Sequence, residues 1–277
     1  MSHGRPLITV DEFVALPKAE KAVVIADCRA GSGDDLEAGR RAYRAAHIPG
    51  AVHIHLEEDL CGHGGEHGGR HPLPDPATVA AKLGAAGIGP GVTVVAYDES
   101  GQFGCRFWWE LRWLGFDDVF ILNGGIKAWE AAGQPLTAEV PHPMARTFVP
   151  HVRPELVASM TDVLHRPADQ VVIDARSASR YAGNPDPLDA KPGHIPGAIN
   201  RFWGDNLNPD GTWKSLAELS ARFRGLPDGK RLIHACGSGV TACANLVAMV
   251  TLGLDPGRLY VGSWSDWCTY DENPIEK

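Results

Sequence analysis

Residues Lys230–Leu252 read K-R-L-I-H-A-C-G-S-G-V-T-A-C-A-N-L-V-A-M-V-T-L. The short apolar run Leu232–Ala235 predicts a buried strand that stops at Cys236. Gly237 and Gly239 follow and admit backbone torsions that other residues resist. From about Val240 the spacing turns helical, with Cys243, Leu246, Val247, Val250 and Leu254 at i, i+3, i+4, i+7 and i+11. Gly253 provides a C-terminal stop. A thiol therefore stands at a strand end, on a tight loop whose N–H groups open a helix. Unpaired N–H groups and the positive end of the helix dipole favour an anion there. An ordinary thiol, with a pKa of about 8.5, is only a few per cent thiolate at neutral pH, and helix N-termini raise that fraction. A structural cysteine beside a glycine turn would share the spacing; the pattern points to a reactive thiol without naming its reaction.

Outward from this stretch, the chain repeats itself. V-V-I-A-D at 23–27 matches V-V-I-D at 171–174, and H-I-P-G-A at 47–51 recurs at 194–198, both 147 positions apart. V-T-V-V-A-Y-D at 92–98 matches K-R-L-I-H-A-C at 230–236. L-N-G-G-I-K-A-W at 122–129 matches Y-V-G-S-W-S-D-W at 260–267; both pairs lie 138 apart. The offset shortens across the His/Gly-rich insert of the first half, so two copies of one domain are expected. Each copy alternates short strands and helices, the signature of a parallel α/β sheet covered on both faces. Strands are predicted near 23–27, 51–54, 92–97 and 119–122, then near 171–174, 198–200, 231–235 and 258–261. Helices are predicted near 11–16, 76–86, 104–114 and 126–132. Gln134–Pro154 holds five prolines and no period, and reads as an extended linker. The expected division is a first domain at 1–138, a Pro-rich linker at 139–154 and a second domain at 155–277.

Composition bounds the function. At 277 residues, 44% apolar and 22% charged, the chain is globular and long enough for two domains. A net charge of −8 argues against a general nucleic-acid or anionic-membrane binder. The longest apolar stretch, near Leu246–Leu254, is too short to span a bilayer. Met1–Val10 has no apolar core of signal-peptide length, and the six cysteines include no C-x-x-C pair. A reducing, cytoplasmic setting is expected. Most of the eight tryptophans read as core packing.

Position by position, Asp98 in the first copy stands where the second has Cys236. A carboxylate cannot do thiol chemistry, so the first copy is expected to be catalytically silent and to wall the site. A Cys-phosphatase would need an arginine six residues after the cysteine; Ala242 stands there. The insert C-G-H-G-G-E-H-G-G-R-H at 61–71 offers Cys61, His63 and His67, but five glycines leave those ligand types unfixed. Neither a metal nor another cofactor is expected.

The two H-I-P-G-A segments, D-A-R-S-A-S-R-Y at 174–181, C-G-S-G-V-T-A at 236–242 and G-S-W-S-D-W at 262–267 together resemble tandem-domain sulfurtransferases of the rhodanese family. The likeness covers essentially the whole chain. The C-G-S-G-V-T loop resembles that of 3-mercaptopyruvate sulfurtransferases; thiosulfate-preferring members usually carry Arg and Lys where this loop has Gly237 and Ser238. The resemblance implies attack by the Cys236 thiolate on the donor sulfur, a Cys236 persulfide and release of pyruvate. Cyanide or a thiol, thioredoxin or another small one, would then take the outer sulfur. Loop N–H groups from Gly237 through Gly239 and Val240 to Thr241 would hold the negative sulfur. Arg180 matches a family arginine that binds the donor carboxylate, as a guanidinium fork suits. A second family arginine is replaced by Leu188 in P-D-P-L, with Lys191 and Arg201 as nearby substitutes. G-G-R-H-P-L-P at 68–74 implies that His71, Ser238 and an acid, Glu57 or Asp59, form a proton relay. Two other readings stay open: a thiosulfate:cyanide sulfurtransferase, and a non-catalytic sulfur-carrier or regulatory module.

Overall fold

The computed structural model describes residues 5–17, 21–31, 35–227 and 229–277. The chain forms two compact units. The first comprises residues up to Cys61, then Pro74–Arg153 and Leu207–Trp213. The second comprises Gly62–Leu73, Pro154–Asn206 and Lys214–Lys277. A twelve-residue piece of the first half of the sequence thus belongs to the second unit.

Each unit is built on a five-stranded parallel sheet. In the first, β1 (Leu7–Ile8), β2 (Ala22–Asp27), β3 (Ala51–His53), β4 (Val92–Tyr97) and β5 (Val119–Leu122) lie in the order β1-β5-β4-β2-β3. In the second, β6 (Val157–Ala158), β7 (Val171–Asp174), β8 (Ile199–Asn200), β9 (Leu232–Ala235) and β10 (Arg258–Tyr260) lie in the order β6-β10-β9-β7-β8. The second order is the first with every strand replaced by its counterpart in the repeat. The central strands β4 and β9 are buried at every residue, as a parallel sheet covered on both faces requires. The eight predicted strands lie within two residues of their observed bounds. The sequence reading missed β1 and β6, two residues each, too short to show a period.

The first core gathers Ile8, Phe13, Ile25, Ile48, Val95, Tyr97, Leu122 and Trp129. The second gathers Val163, Val172, Ile195, Ile233, Tyr260, Trp264 and Trp267. The core indoles of the two units find acceptors: Trp129 Nε1 donates to Pro135 O (2.8 Å), Trp264 Nε1 to Lys191 O (2.9 Å) and Trp267 Nε1 to Pro274 O (2.9 Å). That pays the polar part of the burial. The H-I-P-G-A turns are pinned alike in both units. His47 Nδ1 meets Tyr43 O and His194 Nδ1 meets Tyr181 O, both at 2.7 Å, and each imidazole stacks on that tyrosine. Up to Arg153 the Pro-rich stretch has no helix or regular strand and belongs to the first unit, with Arg146 N donating to Gly84 O and Arg153 N to Trp113 O; Pro154 opens a short 3-10 turn, Pro154–Leu156, in the second. No helix among the described residues is long and apolar enough to cross a membrane.

Candidate active site

β9 delivers Cys236 to the start of the loop, and Ala242–Thr251 takes the chain away as a helix. Cys236 is buried, 2% exposed. The loop is held from behind by the helix Ser263–Trp267. Ser263 Oγ accepts the Cys236 N–H at 3.0 Å, Trp264 N donates to Cys236 O at 3.0 Å, and Ser265 N to Gly237 O at 2.9 Å. Gly239 has φ +74°, and a Cβ there would lie 2.3 Å from Val261 O. Only glycine fits this close turn. Among the described residues, no protein acceptor takes the N–H groups of Gly237, Ser238, Val240 and Thr241. They stand ahead of the helix as donors for an anion. Cys243 lies on the buried side of that helix, its thiol toward Gly239 O at 3.5 Å.

The segment Gly62–Leu73 is latched to the same helix and the residues after it. Gly68 N donates to Asp266 Oδ1 (2.7 Å) and Arg70 N to Ser265 Oγ (3.1 Å). His67 stacks on Tyr270 with ring centroids 4.1 Å apart and bonds Thr269 Oγ1 at 2.7 Å. This latch sets His71, whose Nδ1 meets Ser238 Oγ at 2.7 Å. His71 and Ser238, 167 residues apart, form the pair that the motif comparison implied. Of the two acids considered with them, Asp59 accepts the His55 N–H at 2.8 Å and has Lys82 Nζ at 3.8 Å. Glu57 is half-buried on the short helix Leu56–Asp59.

Arg180 sits on the short helix Ala178–Tyr181, capped by Ser177. Its Nε donates to Asp189 Oδ2 at 2.8 Å and Nη2 to Oδ1 at 2.5 Å. Burial works to raise the Asp189 pKa, but the Arg180 hydrogen bond and the charges of Arg180, Arg176 and Arg70 outweigh it and hold the carboxyl below its usual range. A Cβ built on Gly237 would lie 2.9 Å from Arg180 Nη2 and 3.0 Å from Arg70 Nη2. Two guanidinium groups therefore crowd the residue after the thiol. Lys191 pairs instead with Asp271 (3.0 Å), and Arg201 Nη1 donates to Asn200 O (2.9 Å). Arg70, not foreseen in this role, is the cation that meets Leu188: its Nη1 donates to Leu188 O at 2.6 Å. Its place beside His71 in G-G-R-H was the available signal.

In the first unit the counterpart of this loop is filled from within. Asp98 is buried, and its carboxylate accepts the N–H groups of Ser100 (3.0 Å), Gly101 (2.5 Å) and Gly104 (2.8 Å). Burial raises its pKa, and these N–H groups oppose the rise. Among the described residues, Glu37, His55 and Glu58 also cluster with metal-ligand spacing. Yet His55 Nδ1 accepts the Glu58 N–H, and Arg40 pairs with both carboxylates, which compensates their charge.

The model of the rhodanese-like domain matches residues 9–132 and 158–270. The chain belongs to the rhodanese family, with two copies of its domain in tandem. A Pseudomonas aeruginosa protein named a probable 3-mercaptopyruvate sulfurtransferase is 40% identical, with 97% of each chain covered. The 3-mercaptopyruvate sulfurtransferase of Escherichia coli K12 is 36% identical over 92% of each. The solved 3-mercaptopyruvate sulfurtransferase of Leishmania major superposes with a TM-score of 0.84 at 30% identity, covering 98% of this chain and 76% of that one. The protein is a sulfurtransferase enzyme similar to these.

Proposed function

We propose that this sulfurtransferase takes sulfur from 3-mercaptopyruvate and passes it to a thiol or to cyanide through a persulfide on Cys236. The carrying observation is a buried cysteine at a strand end, followed by open loop N–H groups and flanked by a Ser238–His71 pair. In the first half-reaction the Cys236 thiolate attacks the donor sulfur. The new S–S bond forms as the C–S bond breaks, and its electron pair leaves on C3 as the enolate of pyruvate. Ser238, hydrogen-bonded to His71, delivers a proton to that carbon. Arg180 helps to hold the donor's carboxylate. The loop N–H groups of Gly237, Gly239, Val240 and Thr241 stabilise the anionic sulfur before and after transfer. In the second half-reaction an acceptor thiolate or cyanide attacks the outer sulfur and restores the Cys236 thiolate. Thioredoxin or another small thiol is the proposed acceptor, in a reducing cytoplasmic setting.

Within this reading the first unit is catalytically silent, since Asp98 takes the thiol's place and fills its own N–H cradle. One observation favours a second donor. The loop itself has no cation, but Arg180 and Arg70 bring two guanidinium groups to Gly237, and a dianion such as thiosulfate would also suit them.

The test is kcat/KM for 3-mercaptopyruvate and for thiosulfate with one thiol acceptor, in the wild type and in Cys236→Ser. The expected result is a clear preference for 3-mercaptopyruvate and complete loss in the variant, with no added sulfur mass on the protein. A preference for thiosulfate would overturn the donor assignment, and turnover surviving in Cys236→Ser would overturn the persulfide route.

A further inference from the structure

We infer that Asp189 is a specificity-determining residue: by gripping Arg180 it cancels one of the two cationic charges at Gly237 and biases the site toward a monoanionic donor over a dianion. This rests on the reaction proposed at Cys236. Asp189 directly follows Leu188 in P-D-P-L-D, and its side chain is only 4% exposed. Its Oδ1 accepts from Arg180 Nη2 at 2.5 Å and its Oδ2 from Arg180 Nε at 2.8 Å, so it takes one whole edge of the guanidinium. Nη2 is also the Arg180 atom nearest to a Cβ built on Gly237. The nitrogen that faces the thiol loop is therefore one that the carboxylate grips. Oδ2 meets Arg176 Nη1 as well, at 3.2 Å, and Arg176 is itself clamped on Asp174. Asp189 is thus fixed from two sides and cannot swing away when a donor enters.

The charges nearby give the consequence. At Gly237 two guanidinium groups, Arg180 and Arg70, stand against this one buried carboxylate. Arg176 leaves that balance unchanged, because Asp174 neutralises it at 2.6 Å. Asp186, the other carboxylate near Arg180, lies 3.7 Å away and is 27% exposed, so water screens it more. Burial works to lower the Arg180 pKa, but the Asp189 hydrogen bond and the charges of Asp189, Asp186 and Cys236 outweigh it and raise it. A single carboxylate, as on a 2-oxo acid thiol, matches the one cationic charge left over. A dianion such as thiosulfate brings a second negative charge toward Asp189, and Leu188 supplies no cation to meet it. Asp189 therefore opposes the dianion that two arginines alone would welcome.

The experiment measures kcat and KM for 3-mercaptopyruvate and thiosulfate in the wild type, Asp189→Asn and Asp186→Asn, with circular dichroism as a check on folding. Asp189→Asn keeps the shape and removes the charge. It should raise the ratio of kcat/KM for thiosulfate to that for 3-mercaptopyruvate about tenfold or more, chiefly through a lower thiosulfate KM. Asp186→Asn should move the ratio by less than about threefold. A merely structural role would lower both donors together; a ratio within about twofold of wild type in Asp189→Asn would overturn the inference. So would an equal shift in Asp186→Asn. A second measurement needs no variant. Sulfate and methanesulfonate, a dianion and a monoanion of similar shape, are compared as competitive inhibitors of 3-mercaptopyruvate turnover by wild type. Sulfate should bind no more tightly than methanesulfonate, and sulfate binding about tenfold tighter would overturn the bias. If wild type prefers thiosulfate, the donor proposal fails, and a tenfold rise of the ratio in Asp189→Asn still supports the role of Asp189. A wild-type enzyme that turns over neither donor overturns both.

Discussion

Ser263 has φ +52°, a left-handed conformation that costs an L-residue about 1 kcal/mol. Its counterpart in the first unit is Gly125, with φ +57°, which adopts it freely. The second unit tolerates the strain because the hydroxyl is used twice: Ser263 Oγ accepts the Cys236 N–H and donates to Tyr260 O at 2.8 Å. Removing it leaves a buried N–H and a buried carbonyl without that partner. Ser263→Ala should therefore lower unfolding stability by about 1–3 kcal/mol. Ser263→Gly loses the same bonds but relaxes φ, so it should be the more stable variant by about 1 kcal/mol. Urea unfolding of the pair reads the difference, and equal midpoints would remove the strain argument. Cys236, its glycines and the His71–Ser238 pair were legible in the sequence because motif and repeat mark them locally. Ser263 and Arg70 were not, since each matters only through a tertiary contact: one 27 residues from Cys236 along the chain, the other reaching Leu188 across 118.

At the level of elements, the repeated blocks V-V-I-(A)-D and H-I-P-G-A are physically joined by a residue between them. Arg29, two past Asp27, grips both its carboxylate oxygens and donates to Ala46 O, just before His47. Arg176 does the same to Asp174 and to Gly193 O, just before His194, and stacks over Trp264 at 4.8 Å. The end of β7 is thereby tied to the turn that leads into β8, and in the first unit β2 is tied to β3. Arg176→Met would leave the buried Asp174 charge and a buried carbonyl without this partner, so a loss of about 3–5 kcal/mol is expected in urea unfolding. Arg176→Lys should recover little, because an ammonium cannot reproduce the fork. A loss under about 1 kcal/mol in Arg176→Met would show that the tie contributes little. The repeat and its strands were legible because both copies keep their period and turn residues. The edge strands β1 and β6 were not, since two residues carry no alternation and their place comes from pairing with β5 and β10.

For the whole molecule, two buried groups set opposite acid responses in the two units. His234, in the second, is pushed down to about 4, chiefly by burial, with only the Pro256 backbone pulling the other way. Its folded pKa lies below the unfolded value of about 6.5, so the unfolded chain takes up the proton first and stability falls as pH drops from about 6.5 towards 4. Glu110, in the first, is pushed up to about 7 by burial despite Arg106 at 3.1 Å. Here the folded chain takes up the proton first, so stability rises as pH drops from about 7 towards 4.5. Between pH 7 and 5 each effect amounts to about 2 kcal/mol, with opposite signs. The two nearly cancel in the sum, so the wild type alone would conceal both. Each variant has to be compared with wild type at the two pH values. Relative to wild type, His234→Leu should gain about 2 kcal/mol on going from pH 7 to pH 5, and Glu110→Gln should lose about as much. Both shifts are read by urea titration of global unfolding at each pH. Parallel pH curves for His234→Leu and wild type would mean that His234 is already protonated in the fold. Its burial would then need a counter-charge to hold it.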